Sequence, residues 1–286
     1  MTLEYPTTRL NSNQISHRNN QMGTSVRHEW PMGCYLEAWK LFRDVSNENE
    51  ETADQLVTMS KWPTNDNYQI LDIGSGDGLL LKRIVTQSPT RVGHVRLLDP
   101  DKELMDQAVS NLEERLASYQ ISFYLSKIED RIPTSLQDVD VILAVHIVYL
   151  LPPESFKNLL TELPFKIPFY VVLDNENSIF SRLWKKTAPK YYERAIAAHQ
   201  LIKQLPRDRF KVVRTSVTSL LTNPLSYPRK RIDLKNLILS ILCYTDVRDR
   251  PQQELHYIEN EIQKSVSPAN NRLRCASDCY EIVRIR

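Results

Sequence analysis

Three of the six glycines in this 286-residue chain fall within five positions, at Gly74, Gly76 and Gly78. Glycine is needed where the backbone takes a positive φ, or where a ligand must approach the main chain with no Cβ in the way. The three follow the apolar run Ile70-Leu-Asp-Ile73 and precede Leu79-Leu-Leu81, so the segment reads as a strand turning into a helix. Free backbone N–H groups at such a turn make a site for a carboxylate or phosphate. Two acids accompany the loop. Asp72 lies in the strand just before it, and Asp99 closes the next apolar strand, His94-Val-Arg-Leu-Leu-Asp99, one crossover helix downstream. A carboxylate there can accept from both hydroxyls of a ribose. Asp101 is the better N-cap for the following helix, which leaves Asp99 for a ligand.

The spacing separates two nucleotide cofactors. A dinucleotide fingerprint, GxGxxG, needs a third glycine where this chain has Leu79. The pattern Asp72-x-Gly-x-Gly-x-Gly instead resembles the first motif of class I S-adenosylmethionine-dependent methyltransferases. That resemblance implies that Gly74, Ser75 and Gly76 cradle the methionine part of S-adenosylmethionine and that Asp72 neutralises its α-ammonium, directly or through water. It also implies that Asp99 binds the ribose, with Pro100 and Leu104 beside the adenine. After the third strand, relatives often carry an aspartate for the adenine amino group where this chain has Lys127; the backbone of Ile128, with Glu129 or Asp130 nearby, is the substitute. Val145, at the end of the fourth strand, completes the expected cofactor set. The plainer alternatives are a tight turn with no ligand at the loop and an exposed charged turn at 126–130.

Methyl transfer from a sulfonium is an in-line displacement, so positioning dominates and no obligatory catalytic residue follows. The acceptor side is read from the fourth strand, Val141-Ile-Leu-Ala-Val-His146-Ile-Val-Tyr149. An enzyme for base amines or glutamine would show Asn or Asp before Pro-Pro-aromatic there, and a metal-dependent one an acidic ligand. This chain has His146, and no metal is expected. The Val145–Phe156 segment and Ser181-Arg-Leu-Trp184-Lys-Lys are similar to stretches of the histamine N-methyltransferases and related small-amine enzymes, a likeness running over residues 68–286. It implies an amine acceptor, but the family's amide is His146 here, its C-terminal asparagine falls near Ser277 or Asp278, and its amine-binding glutamate is matched by Glu29 or Glu37. The expectation is a small-molecule N-methyltransferase for a cationic amine or guanidine. Asp278, Glu29 or Glu37 would hold the cation, Tyr149 and Trp30 would pack its body, and His146 would relay the proton that the amine must lose. The alternatives are O-methylation of a carboxylic acid or hydroxyl gripped by Arg27, Arg182 or Arg229-Lys230-Arg231, an RNA or protein methyltransferase, and a non-catalytic module that binds S-adenosylmethionine or S-adenosylhomocysteine.

These residues need strands and helices to hold them. Strands are expected near 68–73, 94–99, 120–125, 139–145 and 168–173, alternating with amphipathic helices, which gives a doubly wound, Rossmann-like α/β fold with a mostly parallel sheet. The methyltransferase resemblance implies seven strands. Helices near 188–204, 234–244 and 251–264 and a strand near 209–216 follow, with a closing strand at 280–285. The division expected is an N-terminal arm and helical cap over 1–62, a cofactor-binding core over 63–176 and a C-terminal part over 177–286 with cap helices and the last strands. Hydrophobic residues at 41% and charged residues at 25% suit a globular chain. With 37 basic against 35 acidic residues the net charge is +2, so no global field favours nucleic acid or anionic lipid. The longest apolar run, Val141–Leu151, is too short to cross a bilayer. A polar N-terminus points to the cytoplasm, and a monomer or dimer is expected. Cys34, Cys243, Cys275 and Cys279 show no zinc-ligand spacing, and no disulfide is assigned.

Overall fold

Strands that read as unbroken apolar runs sit in the middle of the sheet. In the computed structural model, β1 (Tyr68–Ile73), β4 (Val141–Val145) and β5 (Pro168–Asp174) are buried along nearly their whole length, as parallel strands covered by helices on both faces must be. The structure describes residues 34–113, 119–128, 136, 138–227, 232–244, 247–248 and 250–286. The other strands are β2 (Val92–Asp99), β3 (Gln120–Leu125), β6 (Phe210–Thr222), β7 (Val266–Ser267) and β8 (Arg272–Arg284). The helices are α1 (Cys34–Val45), α2 (Glu48–Val57), α3 (Leu79–Gln87), α4 (Lys102–Glu113), α5 (Pro153–Glu162), α6 (Ile179–Thr187), α7 (Pro189–Lys203), α8 (Ile232–Cys243) and α9 (Gln252–Ser265).

The strand order is β3-β2-β1-β4-β5-β8-β6. The first five strands are parallel, and β8 runs antiparallel to both β5 and β6. Seven strands form this path and β7 adds an eighth, paired only with β8. The last strand starts at Arg272, eight residues before the expected 280, so Cys275 and Cys279 are buried strand residues and not a helical pair. Cys243 is likewise free and buried, in α8.

The period of two along each central strand divides the core. Leu71, Ile142, Ala144 and Phe169 pack with Phe156, Trp184 and Ile241 of α5, α6 and α8. Ile70, Val141, Leu143 and Tyr170 pack with Leu56, Ile84 and Ala108 of α2, α3 and α4. Each such large apolar side chain contributes about 1.5–3 kcal/mol relative to exposure. The chain builds β1, β2 and β3 outward in one direction and β4 and β5 in the other. The crevice over the carboxyl ends of β1 and β4, where that order reverses, is the ligand position of open α/β sheets.

Of the expected N-terminal cap, the described residues hold α1 and α2, and the linker between them matters most. Phe42 of α1 belongs to the core on one face of the sheet and Leu56 of α2 to the core on the other. The linker between them therefore passes over the strand ends. It is pinned there by β6: the Asn47 N–H donates to the Leu220 carbonyl (3.3 Å), and the Leu220 N–H donates to Asn47 Oδ1 (2.6 Å). Glu48, the first residue of α2, is thereby fixed above the crevice.

Candidate active site

The glycine-rich turn is built by local sequence. Gly74 (φ +72°), Gly76 (+55°) and Gly78 (+73°) all take the left-handed conformation that a Cβ disfavours. Their surroundings differ. A Cβ at Gly74 would run into the Ile147 side chain, and one at Gly78 would lie 3.0 Å from Ala108 of α4, whereas one at Gly76 would meet no atom within 4 Å. Gly74 and Gly78 are thus packing glycines, and Gly76 faces open space. Ser75 ties the turn together: its hydroxyl donates to the Asp72 carbonyl (2.8 Å) and accepts from the Leu98 N–H (3.2 Å).

A cavity of about 240 Å³ opens over this turn. Asp72, Gly74, Ser75 and Gly76 line one side of it, and Asp99, Pro100 and Leu104 another. The Asp99 carboxylate is buried and accepts from the Gly76 N–H (3.1 Å) and the Asp101 N–H (2.8 Å). An ionised carboxylate has about four lone-pair sites, and Asp99 presents its carboxylate on the wall of the cavity. Asp101 caps α4 by accepting from the N–H groups of Glu103 and Leu104 (3.0 and 3.1 Å), the role its position suggested. Asp72 is also buried, and among the described residues neither a cation nor a hydrogen-bond donor compensates it. Burial, followed by repulsion from Asp99, raises its pKa to about 7. A cationic group bound beside it would draw the carboxyl back to its ionised form.

The opposite wall is assembled from distant elements. His146, just past β4, takes φ +53°, a conformation that costs a non-glycine residue about 1 kcal/mol and turns the ring away from the strand direction. Its Nε2 lies 3.5 Å from Glu48 Oε1 and its Nδ1 3.7 Å from Asp174 Oδ2. Burial alone pulls the imidazole pKa down, but Glu48 and Asp174 together outweigh it and raise it to about 9. Glu48 is raised as well, by burial, with His146 opposing and Asp174 adding. His146 Nε2 and Asp174 Oδ1 are both buried with no hydrogen-bond partner in the structure. Tyr149, Tyr244 and Trp39 supply aromatic surface to the same cavity, with the Tyr149 ring 4.8 Å from that of buried Trp184. At the far end Arg43 is held by Asp77 at 2.5 Å.

Residues 70–164 match the model of the methyltransferase domain family. Across 91% of this chain and 94% of its own, the fold is similar to that of the plantazolicin methyltransferase BamL, solved with S-adenosylhomocysteine and a triazolic desmethyl analogue, at 11% identity and a TM-score of 0.50. It is also similar to the YcgJ protein of Bacillus subtilis, at 12% identity over 82% of this chain and 99% of that one, with a TM-score of 0.51. No curated protein sequence matches the chain. The fold is therefore that of the class I S-adenosylmethionine-dependent methyltransferases, and the finer likeness to histamine N-methyltransferases finds no support in these comparisons.

The cavity brings together most of the residues expected to bind a cofactor and an acceptor. Asp72, Gly74, Ser75, Gly76, Asp99, Pro100, Leu104 and Val145 all border the cavity, as do His146 and Tyr149. Ile128 does not: its side chain is buried in the core with Leu98 and Val139, and Glu129 and Asp130 lie outside the described residues. Asp278 is also elsewhere. It is fully buried on β8, paired with Arg214 at 2.6 Å and accepting from Asn175 and Ser216 (3.0 and 3.2 Å), so its charge is already compensated. Arg27, Glu29, Trp30 and the 229–231 cluster lie outside the described residues, as does the side chain of Glu37, which sits in α1. Sequence reasoning missed Glu48, Asp174, Trp39 and Tyr244. Asp174 carried a usable signal, since it closes β5 as Asp99 closes β2. Among the described residues, no group of three or more His, Cys, Asp or Glu side chains could hold a metal ion, and no helix is long and apolar enough to cross a membrane.

Proposed function

We propose that the protein methylates the nitrogen of an amine or guanidine held between Glu48, His146 and the aromatic side chains Tyr149, Tyr244 and Trp39. The donor side of the cavity suits S-adenosylmethionine: the open face of Gly76 admits its chain against the backbone, Asp72 meets its ammonium, and Asp99, on the cavity wall, accepts from its ribose. When bound, S-adenosylmethionine supplies a methyl group on a positively charged sulfur. The protein's part is alignment, exclusion of water and control of one proton.

One observation carries the amine reading: the acceptor wall holds Glu48 and Asp174 about a single imidazole, and among the described residues the one guanidinium lining the cavity, Arg43, is already neutralised by Asp77. Two carboxyl groups stand about one imidazole there, an acidic balance that suits a cation. An acidic acceptor, as O-methylation of a carboxylate requires, would find no uncommitted basic side chain there among the described residues. Arg182, once a candidate for that grip, is paired with Glu261 at 3.2 Å and does not line the cavity.

His146 is the proposed proton acceptor, and its raised pKa sets a condition. Near neutral pH the ring is imidazolium and cannot take a proton; the neutral form is populated only as the pH approaches 9. Methyl transfer to an amine should therefore accelerate with pH up to about 9. Calorimetry with S-adenosylhomocysteine tests the donor half, where absence of binding, or binding indifferent to Asp99→Ala, removes the cofactor assignment. Parallel turnover assays with amines, guanidines and carboxylic acids test the acceptor half, and turnover of acids alone overturns N-methylation.

A further inference from the structure

Asp174 is a buried carboxylate to which the proton step described above gives no role. It ends β5, its side chain is 3% exposed and, unlike Glu48, it does not line the cavity. Its Oδ1 is buried and accepts no hydrogen bond, while its Oδ2 lies 3.7 Å from His146 Nδ1. A buried acceptor left without a donor costs about 1–3 kcal/mol, and more when charged. The group therefore needs a reason beyond packing.

Residues that do not line the cavity hold its main chain. The sheet pairs Asp174 with Ser277 of β8, and the next N–H, of Asn175, donates to the Ala276 carbonyl (2.9 Å). His199 of α7, 1% exposed, brings its Nε2 to 2.9 Å from the Asp174 carbonyl oxygen. A carbonyl can only accept, so Nε2 carries a proton and donates it. The other ring nitrogen, Nδ1, lies 2.8 Å from the Tyr280 hydroxyl on β8. His146 is tied to the same strand, its N–H donating to the Val172 carbonyl (3.0 Å). Both ends of the Nδ1 to Oδ2 contact are thus set by backbone fixed to β5.

We propose that Asp174 is the positioning residue of His146: it holds the proton of the neutral ring on Nδ1, which leaves the Nε2 lone pair to take the proton of the acceptor, while Glu48 meets the acceptor's charge. This rests on the amine reading above and adds which nitrogen acts. Two carboxyl groups compete for the ring proton, Asp174 at Nδ1 and Glu48 at Nε2, 3.5 Å away. Glu48 is on the cavity wall, where a bound cation can answer it. Among the described residues, the His146 ring alone is offered to the Asp174 carboxyl group. Cys275 of β8, the other titratable group beside these two acids, stays a thiol, because burial drives its pKa well up. A separation of 3.7 Å is longer than a hydrogen bond, and such contacts tighten when an enzyme is loaded. Asp174 touches no reacting atom and acts through the ring.

The test reads the proton directly, by nitrogen NMR of the full chain labelled at histidine and saturated with S-adenosylhomocysteine. Above about pH 9, where the His146 ring becomes neutral, its proton is expected on Nδ1; a proton on Nε2 in the parent overturns the proposal. Asp174→Asn keeps the side chain's shape, and should move the proton to Nε2 and lower kcat about a hundredfold or more. KM for the amine and affinity for S-adenosylhomocysteine should stay within about twofold. Glu48→Gln should do the reverse, raising KM about tenfold with the proton still on Nδ1. An unchanged kcat in Asp174→Asn, or a loss confined to KM, overturns the positioning role. Should Asp174→Asn fail to fold, the parent spectrum decides. If the parent carries the proton on Nδ1 but methylates no amine, the amine reading falls and Asp174 still positions the ring.

Discussion

The two walls of the cavity, which we assign to donor and acceptor, are made by opposite strategies. The donor side comes from one stretch, residues 72–104, and works through backbone: three left-handed glycines, N–H groups, and carboxylates towards the ends of two neighbouring strands. The acceptor side gathers Glu48, His146, Asp174 and Tyr244 from four distant places and works through side-chain charge. On the donor side a buried carboxylate, Asp72, is left without a counter-charge. On the acceptor side a buried imidazole has two. A site that must recognise one fixed cofactor can be written locally, whereas one that selects an acceptor is composed by the tertiary fold and can be altered without disturbing the other.

That independence can be broken from either side. The largest effect is expected from Asp99→Ala, which removes two charge-assisted hydrogen bonds to the ribose at about 1.5 kcal/mol each. It should weaken S-adenosylhomocysteine binding on the order of a hundredfold by calorimetry, and leave the pKa of His146 unmoved by NMR titration. Gly76→Ala comes next. The added Cβ meets no protein atom, so the cost to folding is only the left-handed conformation, about 1 kcal/mol, but it occupies the open face and should weaken the same binding about tenfold or more. If Gly76→Ala instead unfolds the protein, as Gly74→Ala should because of Ile147, the two glycines do not differ as described.

Asp72 gives a pH-dependent test of intermediate size. With its pKa near 7, only the ionised fraction meets the ligand's ammonium, so affinity should rise approaching tenfold between about pH 6 and pH 8, with protons released on binding. The stability sign is opposite. A carboxyl whose folded pKa lies above its unfolded value contributes stability fully present below about 4 and lost as the pH climbs to about 7. Asp72→Asn should therefore bind the cofactor poorly yet melt higher than the parent at pH 8, with the gap closing below pH 4. The smallest effect on the donor side belongs to Glu48→Gln: cofactor affinity within about twofold, but a His146 pKa moved down from about 9 and the rising limb of the rate profile moved with it. A large loss of cofactor affinity in Glu48→Gln would show that the two sides are not separable.

The same division explains what could be read before any fold was known. The α/β alternation, the first five strands and the residues around the glycine loop were legible because each is encoded within a few positions: apolar period, glycine spacing, an acid closing a strand. Asp174 escaped only because β5 was read as ending one residue early, at 173; the logic applied to Asp99 fits it equally. Glu48 was illegible for a stronger reason. In sequence it is one of three acids in the first turn of a helix, where Glu48, Glu50 and Glu51 all suit the helix dipole, and only the docking of the linker on β6 singles it out. Asp278 was chosen because the C-terminal asparagine of the resembled family falls near it, but position in sequence does not reveal that Arg214, on the neighbouring strand, already answers its charge.

The clamp between Asn47 and Leu220 has a consequence for solubility. β6 is a long edge strand, and an edge of thirteen residues is a template on which another chain can pair. Ser46 bridges Leu221, and Asn47 takes up both the N–H and the carbonyl of Leu220, so the linker covers one end of that edge. Shortening the protein to begin after residue 47 would therefore do more than misplace an acid. It would uncover the hydrogen-bonding groups of the edge at Leu220 and Leu221, and the truncated protein would tend to aggregate through the same segment that normally holds its acceptor wall in place.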